Sequence, residues 1–133
     1  MASIPVGQKG EHRRRVTSDI AIDFMGLEGA RVLGTPWMIM LLEMTSRNSI
    51  LPLLDSGFDT VGTEVNVRHL AATPLGMEVR FESEVIAVED RKVRFKVAAF
   101  DEKEQIADGT HERFIVNIER FAKRLAEKSG GLK

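Results

Sequence analysis

The sequence predicts an α+β fold: a curved antiparallel five-stranded sheet wrapped around a long central helix, with a short helix at the C-terminus. Three observations predict it. Residues 36–51 are apolar almost all round and follow a Thr-Pro helix start. After them the pattern switches to period two and holds through four strands joined by short turns. A helix that is apolar on most of its circumference must be covered on most of it, and a sheet is what the rest of the chain supplies.

The elements follow in order. Residues 1–12 are polar and unpatterned and read as a loose N-terminal arm. From residue 16 the chain alternates, with Val16, Ser18, Ile20, Ile22 and Phe24 on one face and Thr17, Asp19 and Asp23 on the other, the pattern of a half-buried strand. The stretch MGLEGARVLG, residues 25–34, holds three glycines and reads as a loop. It ends at Thr35, with Pro36 next: an N-cap residue followed by proline at the first helical position. The helix runs to about Leu51 or Leu54, where Pro52 and then Ser56-Gly57 stop it.

Beyond the helix, Val61, Thr63, Val65, Val67 and His69 share one face of a strand, and Thr73-Pro74-Leu75-Gly76 turns the chain. Met77, Val79, Phe81, Ser83, Val85 and Ala87 alternate with charged residues in the cleanest strand of the sequence. After a tight turn at Glu89-Asp90-Arg91 come Val93, Phe95, Val97 and Ala99, then a turn over residues 101–104 and a last strand over 106–118. The short turns predict an antiparallel meander of these four strands. Ile118, Phe121 and Leu125 recur at helical spacing in the tail, an amphipathic helix. One sheet neither covers such a central helix fully nor closes its own edges, so a homodimer of "hot-dog" protomers is expected.

Composition narrows the function. At 133 residues the chain has the size of one domain, residues 1–133, and buries roughly two thirds of its unfolded surface. With 19 basic and 20 acidic side chains, nothing global points to nucleic acid or an anionic membrane. There is no cysteine, so disulfides and thiolate metal sites are excluded, and the composition suits a reducing, cytoplasmic setting. Arg13, Arg14 and Arg15 are followed by no apolar signal core, and no stretch is long enough to span a bilayer.

Four residues carry the chemical argument. Glu43 is an acid inside the apolar run TPWMIMLLEM. It is either structural, paired with Arg47 one turn on or lying at a subunit interface, or a carboxylate tuned by burial for use as base or acceptor. Thr35 reads first as the N-cap, a position that also places its hydroxyl at the positive end of the helix dipole. At 3.6 residues per turn, Thr35 and Glu43 lie within about a quarter turn and roughly 12 Å along the axis, flanking a small substrate without touching. His69 points inward by strand parity and suits acid–base work. Gly62, in the same strand, marks close approach of a ligand or backbone. His111 has an uncertain face and reads as structural or rim-forming, and His12 lies in the arm. The histidines show no metal-ligand spacing, and no phosphate-binding glycine loop is present.

The segments VLGTPWMIMLLEM, VGTEVNVRHLAATPLGMEV and ADGTHERFIVN resemble the fluoroacetyl-CoA thioesterase family, a clade of hot-dog acyl-CoA thioesterases, over nearly all of residues 16–122. The resemblance implies hydrolysis of a small acyl-CoA thioester, with catalytic Thr35, Glu43 and His69 and active-site strand glycine Gly62. It implies no metal or redox cofactor; coenzyme A enters as part of the substrate. Fluoroacetyl selectivity is associated with bulky aromatics in the loop before the threonine. That loop has none here after Phe24, so the resemblance implies thioester hydrolysis without that selectivity. Either Thr35 attacks the carbonyl, assisted by His69 or Glu43, or Glu43 and His69 activate water while Thr35 positions the substrate. The alternatives are a hot-dog hydratase or dehydratase, whose Asp and His five residues apart are missing, and a non-catalytic acyl-CoA binding module, against which the three retained polar positions argue.

Overall fold

A computed structural model describes residues 3–23 and 26–130. It contains β1 (Lys9–Arg15), α1 (Thr35–Ile50), β2 (Phe58–His69), β3 (Glu78–Glu89), β4 (Lys92–Phe100), β5 (Gln105–Asn117) and α2 (Ile118–Ser129). The five strands form one antiparallel sheet in the order β1-β3-β4-β5-β2, curved around α1: the hot-dog architecture.

The inner face of the sheet supplies Val79, Phe81 and Val85 from β3, Val93, Phe95, Val97 and Ala99 from β4, and Ala107 and Ile115 from β5. Met38, Leu41, Leu42 and Ile50 of α1 fill the hollow. Thr45 and Ser46 are buried there too, and their hydroxyls are satisfied by donating to the Leu41 and Leu42 carbonyls at 2.7 and 2.9 Å. The opposite side of α1 is also apolar, and Trp37, Met40 and Met44 stand exposed on it beside β2.

Three expectations are corrected. The first strand is not at 16–24. Ser18–Ile20 form a 3-10 turn, in which Thr17 bonds Asp19 and Arg14 reaches both. Val16 and Ile20 are buried as expected, but by a turn, and Phe24 lies outside the described residues. The strand is instead β1, so residues 9–12 of the expected loose arm are paired to β3. Its inward positions are Gly10, His12 and Arg14, which leave no hydrophobic period to read. A Cβ on Gly10 would meet Ser49 Cβ at 2.6 Å and the Thr45 carbonyl at 2.9 Å, so the strand backbone lies directly on α1. His12 stacks on Phe81 with ring centres 6.5 Å apart.

The four strands after α1 are also not a meander. β3, β4 and β5 are, but β2 pairs with β5 at the sheet edge, so the link from β2 to β3 runs across the end of the sheet. It is tied down on the way: Leu70 N donates to Ile106 O, Thr73 Oγ1 to Asp101, and Val16 N to Met77 O.

The third correction concerns β2. Its register against β5 shifts between Gly62 and Glu64, leaving Thr63 as the extra residue of a β-bulge. Before the bulge, Thr60 and Gly62 face inward; after it, Val65, Val67 and His69 do. Val61 and Thr63 therefore belong to the outer face, where the Thr63 hydroxyl bonds Glu112. No helix among the described residues is long and apolar enough to cross a membrane.

Candidate active site

Two polar clusters lie along the seam between α1 and the inner face of β2. The first sits at the start of α1. Gly34, not Thr35, occupies the N-cap, with extended backbone, and its carbonyl accepts from Met38 N at 3.0 Å. The helix start is thus one residue earlier than its sequence signature. The reason is steric: a Cβ at Gly34 would fall 2.5 Å from the Trp37 ring, so only glycine fits under it. Thr35 is the first helical residue, exposed, and its hydroxyl is released from capping. That hydroxyl lies 2.7 Å from Nδ1 of His69, at the last position of β2. In the tautomer that leaves Nδ1 bare, Thr35 donates to it, the arrangement of a hydroxyl nucleophile and its base. His69 Nε2 is buried without a hydrogen-bond partner. Burial holds the His69 pKa below the ordinary histidine value, with the Ala71 backbone pulling weakly the other way, so the ring is neutral and able to accept a proton at neutral pH.

The second cluster is centred on Glu43. Its Oε2 accepts from Arg113 Nη1 at 3.3 Å. Arg113 is a buried cation, 6% exposed, and three of its nitrogens are occupied. Nε donates to Thr60 Oγ1 at 2.7 Å, Nη2 to the Thr60 carbonyl at 2.9 Å, and Nη1 is 3.1 Å from His111 Nε2. Burial lowers the Arg113 pKa while Glu43 raises it; the guanidinium stays charged. Gly62 lies beneath this group. A Cβ there would be 2.5 Å from Glu43 Oε2, 3.2 Å from His111 Cε1 and 3.4 Å from Arg113 Nη1, so the glycine is what lets the carboxylate reach the sheet.

The structure therefore joins Thr35 to His69 and Glu43 to Gly62, and sets the pairs at different points along α1. The Arg47 partner considered for Glu43 is engaged elsewhere, in a two-pronged pair with Asp59 at 3.0 and 2.7 Å. That pair holds the Asp59 carboxyl below its ordinary range. Arg113 was not legible as a site residue, and His111 is 2% exposed, far from any rim. Both sit in the run GTHER. Their spacing of two places them on one strand face, and the buried half of β5 decides which. Among the described residues no group of three or more His, Asp or Glu side chains is placed to hold a metal ion.

Comparisons with known proteins agree with this fold. The profile of the fluoroacetyl-CoA-specific thioesterase family matches residues 16–119. A fluoroacetyl-CoA thioesterase from Streptantibioticus cattleyicolor is 34% identical over 102 residues, 77% of this chain and 73% of the relative. The solved structure of the fluoroacetyl-CoA thioesterase FlK superposes with a TM-score of 0.85 at 30% identity, covering 95% of this chain and 98% of its own. A solved thioesterase superfamily member from Thermus thermophilus gives 0.85 at 31% identity, covering 98% of this chain and 99% of its own. The profile spans well over half of the chain, and the chain belongs to the fluoroacetyl-CoA-specific thioesterase family.

Proposed function

We propose that this protein hydrolyses the thioester of a small acyl-CoA to the free acid and coenzyme A, with Thr35, His69 and Glu43 as its catalytic residues. The observation that carries the assignment is the 2.7 Å contact between an exposed threonine hydroxyl and a half-buried histidine at the N-terminus of α1. Thr35 Oγ1 attacks the thioester carbon and its proton passes to His69 Nδ1. Negative charge on the carbonyl oxygen develops at the positive end of the α1 dipole. When the C–S bond breaks, His69 returns the proton to the coenzyme A sulfur. Water then adds to the acyl-threonine, giving a proton to His69, which returns it to Thr35 Oγ1 as the acyl C–O bond breaks and the acid leaves. Glu43, held by Arg113 over Gly62, lies further along the same seam and bounds the site on its acyl side. The reaction calls on no metal or redox cofactor, and coenzyme A is consumed as part of the substrate. A reducing, cytoplasmic setting suits a chain without cysteine.

The direct test is release of free thiol from a panel of short acyl-CoAs. Turnover of one or more, lost in Thr35→Ala, is the expected result. A folded protein that binds these thioesters and releases no thiol is instead a binding module.

The same reading includes a homodimer. Trp37, Met40 and Met44 on α1, Val65 on β2 and Leu70 just after it are exposed apolar residues, β2 is an edge strand of the sheet, and a second copy of the chain covers both. A monodisperse monomer at micromolar concentration in sedimentation refutes it.

A further inference from the structure

His111 plays no part in the chemistry above, yet it is buried at the join between three elements. The partners of its two nitrogens fix its state. Nδ1 is 2.8 Å from the Glu64 carbonyl, which accepts only, so Nδ1 carries the hydrogen. Nε2 is 3.1 Å from Arg113 Nη1, which donates only, so Nε2 is bare. The ring packs against Phe95 with centres 6.1 Å apart, which covers one of its faces. Glu43 Oε2 lies 3.7 Å from the same Nε2, just beyond hydrogen-bond reach.

We propose that His111 is a positioning residue: its bare Nε2 fixes the Arg113 guanidinium against Glu43, and a proton taken from solvent onto Nε2 releases it. A protonated Nε2 no longer accepts from Arg113 and faces it as a like charge. Glu43 Oε2, 3.7 Å from Nε2, has to move by less than 1 Å to accept the new N–H. Glu43 then exchanges Arg113 for His111, and the carboxylate leaves its place over Gly62.

The charges facing His111 set the direction of this switch. Arg113, on its own strand, opposes protonation; Glu43 from α1 and Glu112 on β5 favour it. From β2 it meets the Glu64 carbonyl, and from β4 the uncharged Phe95. The charges of the Arg47–Asp59 pair act on Arg113. Burial dominates and lowers the His111 pKa, so the ring is neutral, and the clamp closed, at neutral pH.

Two substitutions separate the two bonds. His111→Gln carries an acceptor where Nε2 lies and does not titrate. His111→Asn reaches only as far as Nδ1, so it keeps the donor to Glu64 and loses the acceptor for Arg113. Nitrogen NMR of the Arg113 guanidinium reads the clamp without any substrate. In the native protein the Nη1 signal holds one position at about pH 8, above the histidine range, and shifts as His111 titrates, while Nη2, bonded to the Thr60 carbonyl, stays in place. In His111→Gln the Nη1 signal does not shift on acidification; in His111→Asn it sits at the shifted position throughout. An Nη1 signal at the native position in His111→Asn, or one that shifts in His111→Gln at the native pH, overturns the proposal. If His111→Asn does not fold, the His111→Gln titration decides alone.

The catalytic consequence rests on the thioesterase reading. His111→Asn lowers kcat/KM roughly 10- to 100-fold, the scale of a group displaced by about 1 Å, and His111→Gln recovers most of it. A shifted Nη1 signal with native kcat/KM refutes the positioning role. A native protein that releases no thiol at all refutes the thioesterase reading instead, and leaves the NMR result to judge the clamp.

Discussion

Gly62→Ala tests whether the place of Glu43 matters. The backbone of Gly62 is not in the left-handed region, so alanine is conformationally acceptable and the whole effect comes from one methyl group. That methyl would sit 2.5 Å from Glu43 Oε2, whereas ordinary contact begins at 3.4 Å, so the carboxylate must retreat by about 0.9 Å. Arg113 pairs with Gly62 across the ladder, and retreat from one is retreat from the other. The Glu43–Arg113 contact is already 3.3 Å long and does not survive the move. Because Glu43 is partly exposed and ends a flexible side chain, its loss costs stability only about 1 kcal/mol. Activity suffers more, since a displacement near 1 Å at a reacting centre costs up to about 100-fold. Thermal unfolding and thiol-release kinetics, measured side by side, give the comparison. The control is Gly62→Ala in a Glu43→Ala background, where the clashing oxygen is gone and the methyl adds only the smaller cost of its 3.2 Å approach to His111 Cε1. Wild-type kcat/KM in Gly62→Ala, or an undiminished penalty in the double variant, refutes the reasoning.

Glu43→Gln and His69→Ala each lower kcat by roughly 10²–10⁴-fold, and the double variant loses far less than the product, because groups acting on one reaction are not additive. Thr35→Ser retains part of the activity and shows a burst of released thiol if the hydroxyl is the nucleophile; steady release from the first turnover contradicts that role. His69 and His111 both have pKa values lowered from 6.5 by burial, so the unfolded chain binds more protons and stability declines as pH drops below 6.5. Melting temperatures followed down from neutral pH record this, and a flat profile refutes it; Asp59, held low by Arg47, adds its share only below 3.8. With no aromatic in residues 26–34, preference for fluoroacetyl over acetyl stays within about 10- to 200-fold, the range of a small pocket contact. A larger ratio of kcat/KM values would assign selectivity to another element.

The helix and the three-stranded meander were legible because both rest on hydrophobic period. The α1 run and the alternation of β3 and β4 each leave a pattern that few other structures satisfy. β1 was not, because an edge strand that turns glycine, histidine and arginine toward the helix has no apolar alternation to show. The place of β2 was hidden for a different reason. Thr73-Pro74-Leu75-Gly76 announces a turn, but pairing across the sheet depends on which edge is vacant, a property of the whole sheet. At the site, Thr35 and His69 stood out as polar residues at element ends. The pairing of Glu43 with Arg113 joins residues 70 positions apart and leaves no local trace. The N-cap was displaced by one because bulk at Trp37, not capping chemistry, selects the residue at the helix start.

The bulge at Thr63 gives the length of β2 a meaning separate from its composition. Thr63 puts no side chain into the site, yet it separates two halves of a strand that are counted with opposite parity. Straighten the bulge with every residue kept, and the strand becomes regular: either Thr60 and Gly62 or Val65, Val67 and His69 must turn to the outer face. His69 then abandons Thr35, or Glu43 meets the side chain of Val61 where it had met a glycine. Substituting Thr63 spares all of this, since only the count is at stake. The interval from Gly62 to His69 is therefore a ruler: its seven steps need the bulge to bring both ends inward, whereas loss of one residue at Thr63 leaves a regular strand with both ends still facing α1.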